Sequence, residues 1–242
     1  MRIDKTLRRG LAVALTALPL LAGAQEFTTC GSIANAYGPY DFRHDHEKLP
    51  IVVNAHFTPV VEALIASTSG RIGGDIDYTL RAIPNHPRAL VAMQRLAERA
   101  NRDQAPDARY TVECYYDRAL RFRPDDTTVR MLFASFLIKK GRPADAGRQL
   151  ARTVELAADN GFTHYNAGLV YLEMKDYAKA LQQAHRAIEL GFGRVELREA
   201  LKTAGQWKEP EPGAAAAGSA ASAPASAPAS APAAAASGAA AQ

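Results

Sequence analysis

The clearest pattern in the chain lies in residues 161–192, where apolar positions return every three or four residues on both sides of a polar turn. The stretch reads GFTHYNAGLVYLEMKDYAKALQQAHRAIELGF, with Lys175 and Asp176 at the turn. This period is typical of two amphipathic helices that pack against each other. A related pattern begins 34 residues upstream, at Thr127. A recurring helix pair with this spacing predicts an all-α repeat protein.

Small residues occupy corresponding places in these two stretches. The later stretch has Gly168, Ala180 and Ala187, and the earlier one has Ala134 and Ala146. This spacing resembles the tetratricopeptide repeat (TPR), in which small residues at such places let paired helices approach closely. The resemblance implies a helix-turn-helix solenoid, or superhelix. It also implies a protein-binding role, because TPR arrays usually bind other proteins.

The repeat register predicts how the chain is organised. A solenoid at 55–208 is expected to contain a degenerate leading unit at 53–86, further units at 87–126, 127–160 and 161–194, and a capping helix at 194–204. In the leading unit, Thr58 and Pro59 are expected to begin the first helix, which Gly70, Gly73 and Gly74 end before the second. About six extra residues near 101–108 are expected in a loop.

The two ends of the chain differ in composition from the repeats. Residues 1–24 combine basic residues, an apolar run and a small-residue cleavage site, which is typical of an export signal. We therefore expect an exported bacterial protein whose mature chain begins at Gln25, in the periplasm or, as second choice, secreted. Residues 209–242 are rich in Ala, Pro and Ser and predict a disordered tail. This tail is either a solvated tether or an O-glycosylated segment with acceptors at Ser222, Ser226 and Ser230.

The charge of the chain changes once the export signal is set aside. The whole sequence carries a formal charge of +4, but four basic residues and one acidic residue lie in the signal. The small charge that remains argues against nucleic-acid binding. No later apolar segment is long enough to span a membrane. We expect another protein as the partner, and the oligomeric state stays open.

The segment 25–54 has no sustained helical period and predicts irregular structure packed along the first repeat. Tyr37, Tyr40 and Phe42 would be costly to leave in water, so we expect their rings to hold the segment on the repeats. Cys30 and Cys114 are the two cysteines of the chain. In an oxidising compartment such a pair favours a disulfide, with two unpaired thiols or an intermolecular link as the alternatives.

One cluster of ligand-type side chains raises an enzyme hypothesis. It consists of Asp41, His44, Asp45, His46 and Glu47. Two histidines separated by one residue, beside carboxylates, could hold a divalent metal if the segment is extended. The alternative to an interaction protein is therefore a metal-dependent or accessory envelope enzyme, whereas the competing interpretation of the cluster is a hydrated turn. Because HExxH, GxSxG, P-loop and GxGxxG motifs are absent, the sequence predicts no enzyme and no cofactor.

In TPR proteins the first helices of successive units line a concave groove, and the resemblance transfers its contact positions to this chain. These positions are Arg88, Val91, Arg95, Glu98 and Arg99, then Thr128, Met131, Ser135, Ile138 and Lys139, and finally Phe162, Tyr165, Leu169, Leu172 and Glu173. We expect a groove that is basic at one end, apolar at the other, and suited to a partner peptide or helix. Exposure in this groove is the expectation for Tyr165, Met131 and Arg95, and core packing is the competing interpretation of some of these side chains. The Lys and Asn pattern that clamps a C-terminal carboxylate in chaperone-binding TPRs is absent.

Overall fold

The computed structural model of the protein describes residues 30–210, and this part of the chain is helical. Its helices are α1 (Leu49–His56), α2 (Pro59–Glu62), α3 (Ile72–Ala82), α4 (Pro87–Arg99), α5 (Val112–Phe122), α6 (Thr127–Lys139), α7 (Pro143–Ala157), α8 (Gly161–Glu173), α9 (Tyr177–Glu189) and α10 (Glu196–Thr203). No strand occurs between residues 30 and 210. The prediction of an all-α fold is confirmed. The expected export signal and the predicted tail beyond residue 210 lie outside the described residues.

The described part of the chain divides into two compact bodies, an N-terminal body at 30–133 and a C-terminal body at 134–210. Within the N-terminal body, α3 packs against α1, α2 and α4, and α4 packs in turn against α5. Within the C-terminal body, α8 packs against α7, α9 and α10. Each body therefore has the neighbour-to-neighbour helix packing on which helical solenoids are built.

Polar side chains determine where several helices begin. The side chains of Thr111, Asn160 and Asp176 accept hydrogen bonds from backbone N–H groups in the first turns of α5, α8 and α9. Each acceptor satisfies a donor for which the helix itself has no partner. His86 has the same role at α4, whose first residue is Pro87. Helices α4 to α9 consequently lie in pairs within the predicted ranges 87–126, 127–160 and 161–194.

The segment before α1 is irregular, as predicted, but it ends earlier than expected. Helix α1 begins at Leu49, inside the range 25–54 that was predicted to be irregular. Its apolar residues Leu49 and Val52 are buried, so tertiary packing stabilises a helix whose sequence is too short to show a period. The rings of Tyr37, Tyr40 and Phe42 pack against the apolar cluster that joins α1 to the end of α3. The predicted role of these rings in holding the segment is confirmed.

A disulfide between Cys30 and Cys114 ties the start of this segment to α5. The prediction of this bridge is confirmed, and neither cysteine is free. Two arginines of α5 support the same contact. Arg118 donates hydrogen bonds to the backbone carbonyl oxygens of Cys30 at 3.1 Å and Ser32 at 2.5 Å. Arg121 donates to the carbonyl of the residue between them at 3.0 Å.

The leading unit departs most from the prediction. The helix expected to begin at Thr58 and Pro59 is reduced to the four residues of α2. Gly73 and Gly74 do not end a helix, because both lie in the first turn of α3. Gly73 faces the loop 101–108, and a Cβ atom added to it would lie 1.8 Å from the carbonyl oxygen of Pro106. Gly73 therefore allows the loop to pack closely against α3. The sequence had instead suggested that this glycine lies in a turn between two helices.

This contact makes a direct prediction for two neighbouring glycines of α3. Gly73→Ala is expected to lower the free energy of unfolding by about 2 kcal/mol, since a backbone oxygen of the loop must move away from the new methyl group. Gly74→Ala is the matched control, because a Cβ there would meet nothing within 4 Å. The control should be neutral or stabilising by up to about 1 kcal/mol, as alanine favours helix. Urea unfolding of both variants measures the difference, and equal effects would contradict the contact.

Candidate functional site

The N-terminal body carries a surface depression of about 310 Å³ between α2, α4 and α6. Its lining residues are Glu62, Pro87, Arg88, Val91, Ala92, Arg95, Thr128 and Leu132. Four of the predicted groove residues come together here, namely Arg88, Val91, Arg95 and Thr128. We call this depression the α4 groove.

The amphipathic pattern of α4 explains why these side chains face the groove. Leu90, Met93 and Ala97 lie on the buried side of the helix. Arg88 and Arg95 are exposed, and they are separated by seven residues, which is two turns of an α-helix. The helix therefore presents its cations in one row beside an apolar floor.

The charges in the α4 groove are unequally balanced. The guanidinium of Arg88 donates hydrogen bonds from Nε and Nη2 to the carboxylate of Glu62. These bonds raise the pKa of Arg88 above its usual value. Arg99 donates to the carbonyl oxygen of Leu64 at 3.0 Å. Arg95 has no ion-pair or hydrogen-bond partner among residues 30–210. Of the two arginines that line the groove, Arg95 is therefore the one without a carboxylate partner.

Two predicted groove residues are buried and cannot serve as exposed contacts. Met131 is 8% exposed and Tyr165 is 6% exposed. The Tyr165 ring lies 5.2 Å from that of Phe192, and its hydroxyl donates to Glu196 at 3.1 Å. Residues after α9 thus cover this tyrosine. The expectation that both side chains are exposed in a groove is wrong, because periodicity identifies the face of a helix but not what later packs on it.

The remaining predicted residues lie on α4, α6 and α8. Glu98 and Lys139 are exposed, while Ile138, Leu169 and Leu172 are half-buried. Ser135 donates a hydrogen bond to Glu173 at 3.3 Å. Phe162 is 55% exposed, and its ring stands edge-on to that of Phe192. In the C-terminal body, Phe162 is therefore the predicted groove residue that presents a large apolar surface to solvent.

The cluster considered as a metal site has a different role. Asp41 is fully buried, and its carboxylate binds Arg43 at 3.0 Å, Arg123 at 2.6 Å and the amide of Asn85 at 2.7 Å. Burial alone would raise the pKa of Asp41, but the hydrogen bonds from Arg43 and Asn85 outweigh it and hold the pKa well below its usual value. His46 is exposed. These contacts anchor the N-terminal segment to the ends of α3 and α5.

No group of three or more His, Cys, Asp or Glu side chains between residues 30 and 210 is placed to hold a metal ion. Within the same range, no helix has both the length and the apolar character needed to cross a bilayer.

Two curated proteins are similar to part of this chain. Human protein O-mannosyl-transferase TMTC3 is 29% identical over 114 residues, which are 47% of this chain and 12% of that protein. The mouse protein of the same name is 30% identical over 99 residues, which are 41% of this chain and 10% of that protein. The chain therefore spans about a tenth of the length of these relatives. No family model matches it.

The close helix contacts are of the expected kind. A Cβ atom on Gly168 would lie 2.5 Å from Leu197 and 3.3 Å from the Cβ of Gln183, and Ala180 and Ala187 are buried beside it in the α8 and α9 pair. The chain is a TPR-like helical repeat protein.

The similarity corrects one expectation about this TPR-like protein. The sequence predicted that it is not an enzyme. Both relatives are named as protein O-mannosyl-transferases, which are enzymes, and this finding contradicts the prediction.

Sequence reasoning missed several residues that define the α4 groove. Glu62 was not a candidate, because it lies 26 residues before its partner Arg88 and no local period connects them. Ala92 and Leu132 were also missed, since the transferred contact positions do not include them. The one available signal was the proline at residue 59, which predicts a helix start close to Glu62.

Proposed function

We propose that this TPR-like protein binds a segment of another protein in the α4 groove, and that it does so in the periplasm of a bacterium. The observation that carries the proposal is the uncompensated cation Arg95 beside the apolar side chains of Val91, Ala92 and Leu132. The site suits a peptide in which a carboxylate lies next to apolar residues.

The two kinds of lining residue contribute differently to binding. Apolar side chains supply contact area, and their burial under a peptide is favourable by about 25 cal/mol for each Å². A charge at the rim contributes more to selection and to the rate of encounter than to affinity. Apolar residues should therefore determine how tightly a peptide binds, while Arg95 determines which peptides bind.

The disulfide supports the proposed location. Cys30 and Cys114 form a bond that persists in oxidising compartments and is rare where thiols are kept reduced. The composition of residues 1–24 is typical of an export signal. Secretion beyond the periplasm is the second choice for the location.

Peptide display on purified protein tests this function. Selection from random short peptides should enrich acidic residues flanked by apolar ones, and Arg95→Glu should weaken binding of the selected peptides by at least about tenfold, or about 1.4 kcal/mol. The matched control is Arg152→Glu, which makes the same charge change on the exposed surface of α7. Peptides that bind all three proteins equally would contradict a role for the α4 groove.

A second candidate function follows from the names of the relatives. The matched stretch is 12% of human protein O-mannosyl-transferase TMTC3. In this second candidate function, the TPR-like array holds the polypeptide on which such an enzyme acts. The partner captured by the groove would then carry O-linked hexose. Mass spectrometry of that partner from cells with and without this chain tests the candidate, and unchanged hexose would argue against it.

A further inference from the structure

Glu62 supplies a carboxylate to the α4 groove from outside α4. It is the last residue of α2, and its side chain binds Arg88 through both carboxylate oxygens. Both residues line the depression. The Arg88 side chain is 66% exposed and that of Glu62 is 24% exposed. This fork-to-fork arrangement is the one that an acidic ligand would adopt on a free arginine.

The element that carries Glu62 is a short helix outside α4. Helix α2 has four residues, of which Val61 is buried. The next turn places Leu64 at a φ of 56°, in the left-handed region, and its carbonyl accepts the hydrogen bond from Arg99. Because Glu62 is not part of α4, it can leave Arg88 without disturbing the hydrogen bonds of that helix.

We propose that Glu62 is an internal competitor for acidic ligands of the α4 groove. This inference rests on the proposed function and adds a regulatory contact to the same site. In the free protein Glu62 occupies Arg88, which leaves Arg95 as the available cation. A ligand with a second carboxylate displaces Glu62 and binds both arginines.

The spacing of the arginines specifies the ligand. Seven residues of helix separate Arg88 from Arg95 by about 10 Å along the axis. In a polyproline II peptide, residues three apart lie on the same side and about 9 Å apart. The matching ligand is therefore an extended segment with acidic residues at every third position and apolar residues between them.

The probe is a peptide of Leu-Glu-Pro repeated three times and blocked at both ends, with the Leu-Gln-Pro analogue as its neutral counterpart. Isothermal titration with the full chain should show that Glu62→Gln binds the acidic probe about three- to fivefold more tightly than the unaltered protein, as expected for release of a surface ion pair. The gain should vanish in the Arg88→Gln background. Glu155→Gln, which breaks an exposed pair with Arg152, should leave the affinity unchanged. Thermal unfolding establishes that each variant is folded.

Each outcome decides the proposal. A gain that requires Arg88 and the acidic probe supports internal competition. Binding of the probe without a gain in Glu62→Gln overturns it, while the peptide-binding function stands. A gain that also appears with the neutral probe, or with Glu155→Gln, overturns it as well. If the probe binds none of the proteins, the two-arginine ligand is wrong, and the peptide selection then decides separately whether the groove binds protein segments.

Discussion

Replacing both Cys30 and Cys114 by serine is expected to lower the free energy of unfolding by about 4 kcal/mol. The bridge closes a loop across 84 residues of sequence. In the chain-entropy model, a loop of this length restricts the unfolded chain enough to stabilise the protein by about that amount. Hydrogen bonds from Arg118 and Arg121 also hold this end of the segment.

The buried arginine adds to the cost of losing the bridge. Arg118 is 1% exposed, and its guanidinium lies 4.4 Å from the centre of the Tyr110 ring. Burial lowers the pKa of Arg118, and the carbonyl oxygens of Cys30 and Ser32 accept hydrogen bonds from its guanidinium. Without the disulfide, the segment can move away from α5 and leave the buried N–H groups of Arg118 without some of their acceptors, which is unfavourable. Arg118 therefore couples the covalent link to the interior of the N-terminal body.

Denaturant unfolding of the unaltered protein and of the double serine variant, each with and without a thiol reductant, measures this effect. The reductant should lower the stability of the unaltered protein toward that of the variant, and it should leave the variant unchanged. Proteolysis should also become faster within 30–48 in the variant. Equal unfolding free energies for the oxidised protein and the variant would show that the bridge does not stabilise the fold.

The helix pairs could be predicted because their signals are local. Gly168, Ala180 and Ala187 mark the positions where two helices meet, and a run of apolar residues at helical spacing marks the rest. The disulfide was predictable for a similar reason, because a single pair of cysteines in a chain that is expected to be exported leaves few alternatives. The exposed row of arginines on α4 also followed from the helical period.

Contacts between distant residues account for what sequence reasoning missed. Asp75 accepts hydrogen bonds from the Ser67 hydroxyl at 2.6 Å and from the Thr68 backbone at 2.8 Å. Burial alone would raise the pKa of Asp75, but these hydrogen bonds and those from Ser69 and His56 keep the pKa well below its usual value. The network holds the chain in turns after α2, where the expected helix would have continued. No local pattern shows that an aspartate in the next helix will capture these donors.

The candidate site was only partly predictable for the same reason. The helical period of α4 places Arg88 and Arg95 on one face. Glu62 contacts Arg88 on that face because of how the chain folds between α2 and α4, which no local period shows. The charged cluster around Asp41 resembled a set of metal ligands, because the neighbouring sequence does not show that Arg123 pairs with Asp41 in the folded protein. Its partner arginine lies 82 residues further along the chain. Local composition therefore identified the charged side chains, but it did not identify the distant residues that contact them in the folded protein.

Acidification from pH 6.5 to pH 4 is expected to destabilise the N-terminal body through His86. The side chain of His86 is 3% exposed, and its Nδ1 accepts a hydrogen bond from the backbone of Ala89 at 3.2 Å. Its ring lies 4.4 Å from that of Phe42 and 4.9 Å from that of Phe57. Burial in this surrounding lowers the pKa of His86 to about 4. The neutral ring is thus required both for the cap of α4 and for the apolar contact.

The direction of the effect follows from proton linkage. The unfolded chain binds a proton at His86 near pH 6.5, while the folded protein binds it only near pH 4. Between these values the unfolded state holds more protons, so the free energy of unfolding falls as the pH falls. The full shift corresponds to about 3 kcal/mol. Asp41 and Asp75, whose pKa values are lowered, lose their stabilising charge at still lower pH, and the two effects therefore occupy different pH ranges.

His86→Asn isolates the contribution of this histidine, because the asparagine oxygen can accept the same hydrogen bond from Ala89. The variant should be less stable at pH 7, where it lacks the ring contacts. The gap between the two proteins should then narrow as the pH falls from 6.5 to 4, since the variant has no proton to bind at this position. Urea unfolding across this range measures the gap, with His46→Asn as a control at an exposed histidine. Parallel stability curves for His86→Asn and the unaltered protein would mean that His86 titrates alike in the folded and unfolded states, and that its burial does not govern the stability of α4.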